Sequence, residues 1–208
     1  AFIIASLSNP YFLTPYNLEI ALTTFFVELA FITIAQTLVI LVRGIDLSAG
    51  GMVALSAVTL GYAHTHGMNI WLAVAVCIAV GVSCGLINGL LVTVFRTPPM
   101  IATLGSGLLY IGIAKGVTRG RPYTGFPEEF QVLAQGHLGP LPNQLVILIV
   151  FAVMAHIILS HTRFGRYIYA IGGNPVAARF SGIRVNTSVI SLYAAGGLLA
   201  AMAGIIMT

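Results

Sequence analysis

An all-α transmembrane bundle is the fold class this sequence predicts, and three observations predict it. Hydrophobic residues make up 58% of the 208 residues and charged residues only 7%, whereas a soluble domain carries about 25% charge. So few charges would leave a soluble surface with large apolar patches. The apolar residues also fall in long runs, and a spanning helix needs roughly 20 of them. Finally, no segment alternates polar and apolar in the manner of a barrel strand, so helices are left to satisfy the backbone in lipid.

Taken in order, a remnant at Ala1–Leu7 precedes about six spans: Asn17–Val42, Leu47–Tyr62, Asn69–Phe95, Met100–Val117, Gln144–Ser160 and Thr187–Thr208. Residues 1–208 thus read as a single transmembrane domain. Leu47–Tyr62 and Met100–Val117 are short and rich in glycine, which leaves room for a broken or partly re-entrant course. The chain has no initiator Met and starts and stops inside apolar runs. It is expected to be a piece of a longer protein, incomplete at its C-terminus.

The loops set the orientation. Thr162–Val185 carries Arg163, Arg166, Arg179 and Arg184 and no acid, so the positive-inside rule makes it cytoplasmic. Counting back, 119–143 is external, the turn at Arg96 internal, 64–68 external, the turn at Arg43–Asp46 internal and 9–16 external. The net charge of +4 and pI near 9.3 fit this loop bias better than a nucleic-acid footprint, and no nucleic-acid partner is expected.

Small residues recur at helix-packing spacing. Gly81, Gly85 and Gly89 form one stripe, Gly112 and Gly116 another, Ala200 and Gly204 a third. Such stripes let helix backbones approach closely in lipid. Cys77 and Cys84 lie on one helix face but about 10.5 Å apart along the axis at 1.5 Å per residue, too far for a disulfide.

The loop Thr162–Ile183, TRFGRYIYAIGGNPVAARFSGI, contains its own helix signals. Asn174 suits an N-cap, and Pro175 suits the first helical position, where its missing N–H costs nothing. The six residues from Val176 to Ser181 make under two turns, and Gly182 suits the left-handed C′ position. Gly172-Gly173 reads as a flexible lead-in. A helix this short has no stability alone in water, so it must dock, either on this chain or the lipid headgroups, or on a cytoplasmic partner. Val176, Ala177 and Phe180 offer it an apolar face, and Arg166, Arg179 and Arg184 could pair with acids there.

That loop, RFGRYIYAIGGNPVAARFSGI, resembles the cytoplasmic coupling loop of ATP-binding-cassette importer permeases of the ribose, galactose, arabinose and xylose type, the sugar branch of the branched-chain-type permeases of the bacterial inner membrane. A second block, Val39-Ile40-Leu41-Val42-Arg43-Gly44-Ile45-Asp46-Leu47-Ser48-Ala49-Gly50-Gly51, is similar to that family's GIDLS-type turn. Leu86–Val92 and Phe95–Gly105 fit more weakly and in the right order. Ala49 and Gly51 stand where the family often has Val and Ser, and further spans follow in the family beyond the position of Thr208. The resemblance implies two permeases paired as a homodimer or with a similar subunit, cytoplasmic ATP-binding subunits seated on the coupling helices, and a periplasmic sugar-binding protein that delivers a monosaccharide. ATP would drive alternating access. Gly165, Arg166, Gly172, Gly173, Asn174, Pro175, Ala177, Ala178, Arg179 and Gly182 would form the coupling loop, with Ala177 and Ala178 seated in the ATPase groove. Arg43, Gly44, Asp46 and Ser48 would form the GIDLS turn.

The residues keep other readings open. Asp46 is the sole acid in Leu41–Leu60. It can pair with Arg43 or cap the following span, or act in gating, as buried charges in membranes often do. Glu28 is an acid in mid-span, so an ion-coupled secondary transporter with Glu28 as relay is the alternative. Glu28, Gln36 and Asn88 could instead hydrogen-bond sugar hydroxyls along a pathway. Gly81-Val82-Ser83-Cys84-Gly85 matches G-x-S-x-G but lies inside an apolar helix rather than on a strand–helix turn. There is no Walker-type phosphate loop, and neither enzymatic activity, metal nor cofactor is expected of this chain.

Overall fold

The computed structural model describes residues 2–9, 11–14, 26–139 and 141–208. The helices are α1 (Phe2–Ser8), α2 (Val27–Ile40), α3 (Ala49–Thr65), α4 (Ile70–Thr93), α5 (Pro99–Thr118), α6 (Glu128–Gln135), α7 (Asn143–His161), α8 (Arg163–Gly173), α9 (Pro175–Phe180) and α10 (Val185–Met207). Between α6 and α7, β1 (His137–Leu138) and β2 (Leu141–Pro142) pair as a minimal antiparallel ladder. The first part of the Asn17–Val42 span lies outside the described residues.

Among the described residues, four helices, α4, α5, α7 and α10, are long and apolar enough to cross a membrane. The 17 residues of α3 reach about 25 Å at 1.5 Å per residue, slightly short of a hydrocarbon core of about 30 Å. Both α3 and α5 are continuous, so the broken course that their glycines allowed is not adopted. Of those glycines, Gly51, Gly61 and Gly107 serve close approach instead. A Cβ on Gly51 of α3 would fall 2.6 Å from the Gly107 carbonyl of α5, and one on Gly107 would fall 3.0 Å from Ser48 Cα.

The bundle is organised around α10. Its spanning window is 61% buried, against 11% for α7, which places α10 at the centre and α7 at the rim. α10 packs along α4, α2 and α3. The Gly81–Gly85–Gly89 stripe faces it: added Cβ atoms would lie 2.6 Å from Ala201 Cβ, 2.9 Å from the Tyr193 carbonyl carbon and 2.8 Å from Ile190 Cα respectively. Gly204 of the third stripe abuts Val53 of α3, where a Cβ would be 2.8 Å from the carbonyl oxygen. The Gly112–Gly116 stripe behaves differently, since nothing lies within 4 Å of where its side chains would be. In this chain it is an open surface, not a packing seam.

The two ends of the bundle sort as the loop charges predict. At one end Tyr123 lies against Gly61, and Phe126 and Phe130 are buried with Leu60 and Ile70. The His64 ring stacks on Phe126 with centroids 5.7 Å apart. At the other end Arg43 and Arg96, from two separate turns, and Arg179 of α9 line one cavity. Cys77 and Cys84 are free and buried.

Candidate functional site

The arginine-rich end holds two linked elements, a polar turn between α2 and α3 and a pair of short helices, α8 and α9. The turn begins where α2 ends. Arg43 takes a left-handed conformation at φ 63°, and the Gly44 amide returns to the Val39 carbonyl at 2.9 Å. Gly44 is needed for space, since a Cβ there would meet Val39 Cγ1 at 2.7 Å and the Tyr193 hydroxyl at 3.0 Å.

Beyond Gly44 the chain dives into the bundle. Asp46, Ser48, Asn88 and Thr103 are no more than 3% exposed, so each needs a partner. The Asp46 carboxylate accepts from the Ser48 amide at 2.9 Å and from the Ser48 hydroxyl at 2.6 Å. Asn88 of α4 donates its amide to Ser48 Oγ at 2.7 Å. Tyr110 of α5 donates to the Cys84 carbonyl at 3.1 Å and approaches Asn88 Oδ1 at 3.4 Å. The Leu47 amide donates to Thr103 Oγ1 at 3.0 Å. Gln36 of α2 donates to the Asp46 carbonyl, and the Tyr193 hydroxyl of α10 reaches the Ile45 carbonyl at 3.4 Å. One turn therefore gathers α2, α4, α5 and α10. Burial raises the Asp46 carboxyl above its ordinary range, and the two Ser48 hydrogen bonds pull it back down.

The helix pair is built by successive caps. Thr162 Oγ1 accepts from the Gly165 amide at 3.2 Å and starts α8. Gly165 sits at the corner, where a Cβ would fall 2.6 Å from the Ile158 carbonyl. α8 turns Ile168 and Ile171 inward, fully buried. Asn174 Oδ1 then accepts from Val176 and Ala177 at 3.0 and 3.1 Å, starting α9. α9 closes on a Schellman motif: the Gly182 amide reaches the Arg179 carbonyl at 3.0 Å and the Ile183 amide reaches Ala178 at 3.1 Å. Gly182 supplies the required positive φ of 82°.

The expected residues are placed unevenly. Asn174, Pro175 and Gly182 occupy the cap positions their chemistry suggests. Gly172 and Gly173 are not a flexible lead-in; they are the last turn of α8. A Cβ on Gly172 would collide with the Leu41 carbonyl, so that glycine lets α8 seat on the turn. Arg43 does not pair with Asp46. It donates Nε to the Gly172 carbonyl at 2.6 Å and Nη2 to Gly173 at 2.5 Å, where the negative end of α8 favours a cation. Ala178 is turned inward, 4% exposed, against Ile171 and Tyr193. The other residues of α9 are exposed, among them Val176 at 62%, Phe180 at 89%, and Ala177 and Arg179. Arg166 and Arg179 are exposed, and Arg179 donates to Asn186 at 3.2 Å.

Gln36 and Asn88 converge on the turn. Glu28 does not: it is half-buried on α2, about 12 Å further along the axis at 1.5 Å per residue, and none of the turn's hydrogen bonds involves it. Sequence reasoning missed Thr103, Tyr110 and Tyr193. The available signal was that a tyrosine hydroxyl in an apolar helix needs a partner. It also missed α8, although Phe164, Ile168 and Ile171 have helical spacing after an N-capping Thr162.

Membrane-length helices around a central α10, closed at one end by a short capped helix, define a polytopic membrane protein. Comparison with known proteins takes this further. Residues 19–208 match the family described as branched-chain amino acid transport system / permease component, and the chain belongs to that family of transport permeases. It is 40% identical over 207 residues to the ribose import permease protein RbsC of Escherichia coli (strain K12), covering 98% of this chain and 64% of the relative. RbsC of Bacillus subtilis (strain 168) is 37% identical, with 99% and 64% covered. The autoinducer 2 import system permease protein LsrD of Klebsiella pneumoniae is 34% identical, with 92% and 59% covered. The chain thus spans about two-thirds or less of the length of these relatives. No solved structure matches. Family and fold together make this a multi-pass protein of the bacterial inner membrane.

Proposed function

We propose that the chain is part of the membrane-spanning subunit of an ATP-driven importer for a monosaccharide or a sugar-like ligand. The observation that carries this reading is α9, a helix of under two turns, capped at both ends, with Phe180 89% exposed. So short a helix with an uncovered aromatic is built to be covered, and a cytoplasmic ATP-binding subunit is the proposed cover. The relatives named for ribose and autoinducer 2 import support the substrate class. A second permease copy and a periplasmic sugar-binding protein complete the proposed assembly. Nucleotide-driven movement of α9 passes through Arg43 to the polar turn. When α4 and α10 part, the amides of Gln36 and Asn88 exchange their internal partners for sugar hydroxyls.

The test is copurification of the full-length protein with its ATPase from its own cells, comparing wild type with Ala177→Asp and Phe180→Asp. These outward positions can be charged without disturbing the fold, whereas Ala178→Asp would bury a charge. An ATPase present with wild type and lost from both variants supports the reading. If wild type brings none down, and uptake follows an ion gradient and is lost in Glu28→Gln, the protein is an ion-coupled carrier instead.

A further inference from the structure

Beneath α9 the arginine-rich end contains a cavity of about 300 Å³, at the lower end of small-molecule sites, which run to about 1,000 Å³. Its floor is Gly44 and Tyr193, both buried, and its walls include Val92 and Val189. Three arginines line it: Arg43 from the α2–α3 turn, Arg96 from the α4–α5 turn and Arg179 from α9. No carboxylate lines it. The nearby acid, Asp46, is engaged with Ser48.

All three arginines are solvent-exposed, and three positive charges around one concave site draw an anion into it. Each guanidinium carries five N–H donors in a planar fork. Arg43 spends two of them on α8 and Arg179 one on Asn186. No hydrogen bond of the Arg96 side chain appears among the described residues, and its backbone is held in the left-handed region at φ 54°. The first residues of α5 and α10, Pro99 and Val185, also line the cavity, and helix starts carry partial positive charge. Phe95, Met100 and Ile101, beside Arg96 and Pro99, are 56–72% exposed and apolar.

We infer that this cavity binds a phosphate group, held by Arg43, Arg96 and Arg179. Arginine forks match phosphate oxygens in pairs, and basic pockets between membrane helices on the cytoplasmic side bind anionic headgroups. The source is either an anionic phospholipid, whose chains lie along Phe95, Met100 and Ile101, or free phosphate. The inference does not depend on what the protein transports.

The experiment places the full-length protein in nanodiscs of phosphatidylcholine alone or with phosphatidylglycerol, and reads thermal unfolding and retained lipid by native mass spectrometry. A parallel arm titrates inorganic phosphate into the phosphatidylcholine discs. Wild type is expected to unfold at a higher temperature with phosphatidylglycerol and to retain it preferentially. Arg96→Gln, which breaks no internal bond, and Arg179→Gln should each lose most of that shift while matching wild type in phosphatidylcholine, and Arg96→Lys should keep part of it. A shift from phosphatidylglycerol but not phosphate assigns the site to lipid, and a shift from both assigns it to the phosphate group itself. Absence of both shifts in wild type overturns the inference. So does full retention of the shift in both glutamine variants. So does stabilisation by the ATPase subunit alone that is lost in both, which would mean that a protein carboxylate fills the cavity.

Discussion

Replacing Gly85 with alanine adds one methyl group where α4 crosses α10. An ideal Cβ there would lie 2.9 Å from the Tyr193 carbonyl carbon and 3.0 Å from Ala194 Cα. Both are backbone atoms of the most buried helix in the bundle, so neither can swing aside, and ordinary carbon contacts begin at about 3.5 Å. The helices must therefore separate by several tenths of an ångström along a seam that also holds Gly81 and Gly89. Overpacking of this kind costs about 1–3 kcal/mol. Alanine recovers up to about 1 kcal/mol of helix propensity, so the same change at Gly112, which faces open space, is the internal control. Denaturant unfolding in mild detergent should show Gly85→Ala less stable than Gly112→Ala by roughly 1–3 kcal/mol, a factor of about 5 to 150 in the unfolding equilibrium. Equal stability of the two variants would mean that the α4–α10 seam is not the close-packed core of the fold.

Asn88→Ala should destabilise the protein by about 1–3 kcal/mol, because the buried Ser48 and Tyr110 hydroxyls lose a partner, and Tyr110→Phe by about 0.5–1.5 kcal/mol; unfolding of the two variants and the double mutant checks both the values and the coupling. Arg43→Gln should free the end of α8, at a cost of about 1–3 kcal/mol for its charge-assisted bonds, seen as faster hydrogen exchange and proteolysis around residues 170–175. Gly182→Ala places a Cβ at φ 82°, which costs about 1–2 kcal/mol, and should fray α9 in the same exchange experiment. Burial holds the Asp46 carboxyl above its ordinary value despite the Ser48 bonds. Its folded form therefore favours the proton, and its contribution to stability is full at acid pH and falls as pH rises through the raised value. Asp46→Asn keeps the acceptor and should flatten that decline in a stability–pH series, whereas an unchanged slope would assign the pH dependence to other groups.

Much of the fold was legible because lipid makes the rules strict. The runs that became α4, α5, α7 and α10 were visible from hydropathy alone, and Asn174, Pro175 and Gly182 announced α9 through local backbone chemistry. The glycine pair 172–173 misled for a definite reason. Its local preference for flexibility was overridden by tertiary contact, since Gly172 lets α8 lie on Leu41 and Arg43 caps the carbonyls behind it. Arg43 and Asp46, three residues apart, looked like natural partners, but the left-handed turn at Arg43 sends the two side chains in opposite directions. Gly112 and Gly116 have the same spacing as Gly81 and Gly85, and spacing does not say whether a partner helix is present. Gln36 and Asn88 could be singled out as polar residues in apolar spans, but their meeting at one turn is a fact of the three-dimensional fold.

The central place of α10 has a bearing on biogenesis. A ribosome delivers α2, α3 and α4 to the membrane well before the helix that organises them. Until residues 185–207 arrive, the glycine face of α4 has no permanent neighbour and must be shielded by lipid, by other helices or by the insertion machinery. Assembly of this bundle is therefore a late event in synthesis, and a ribosome paused before α10 would leave a set of correctly threaded helices that has not yet closed.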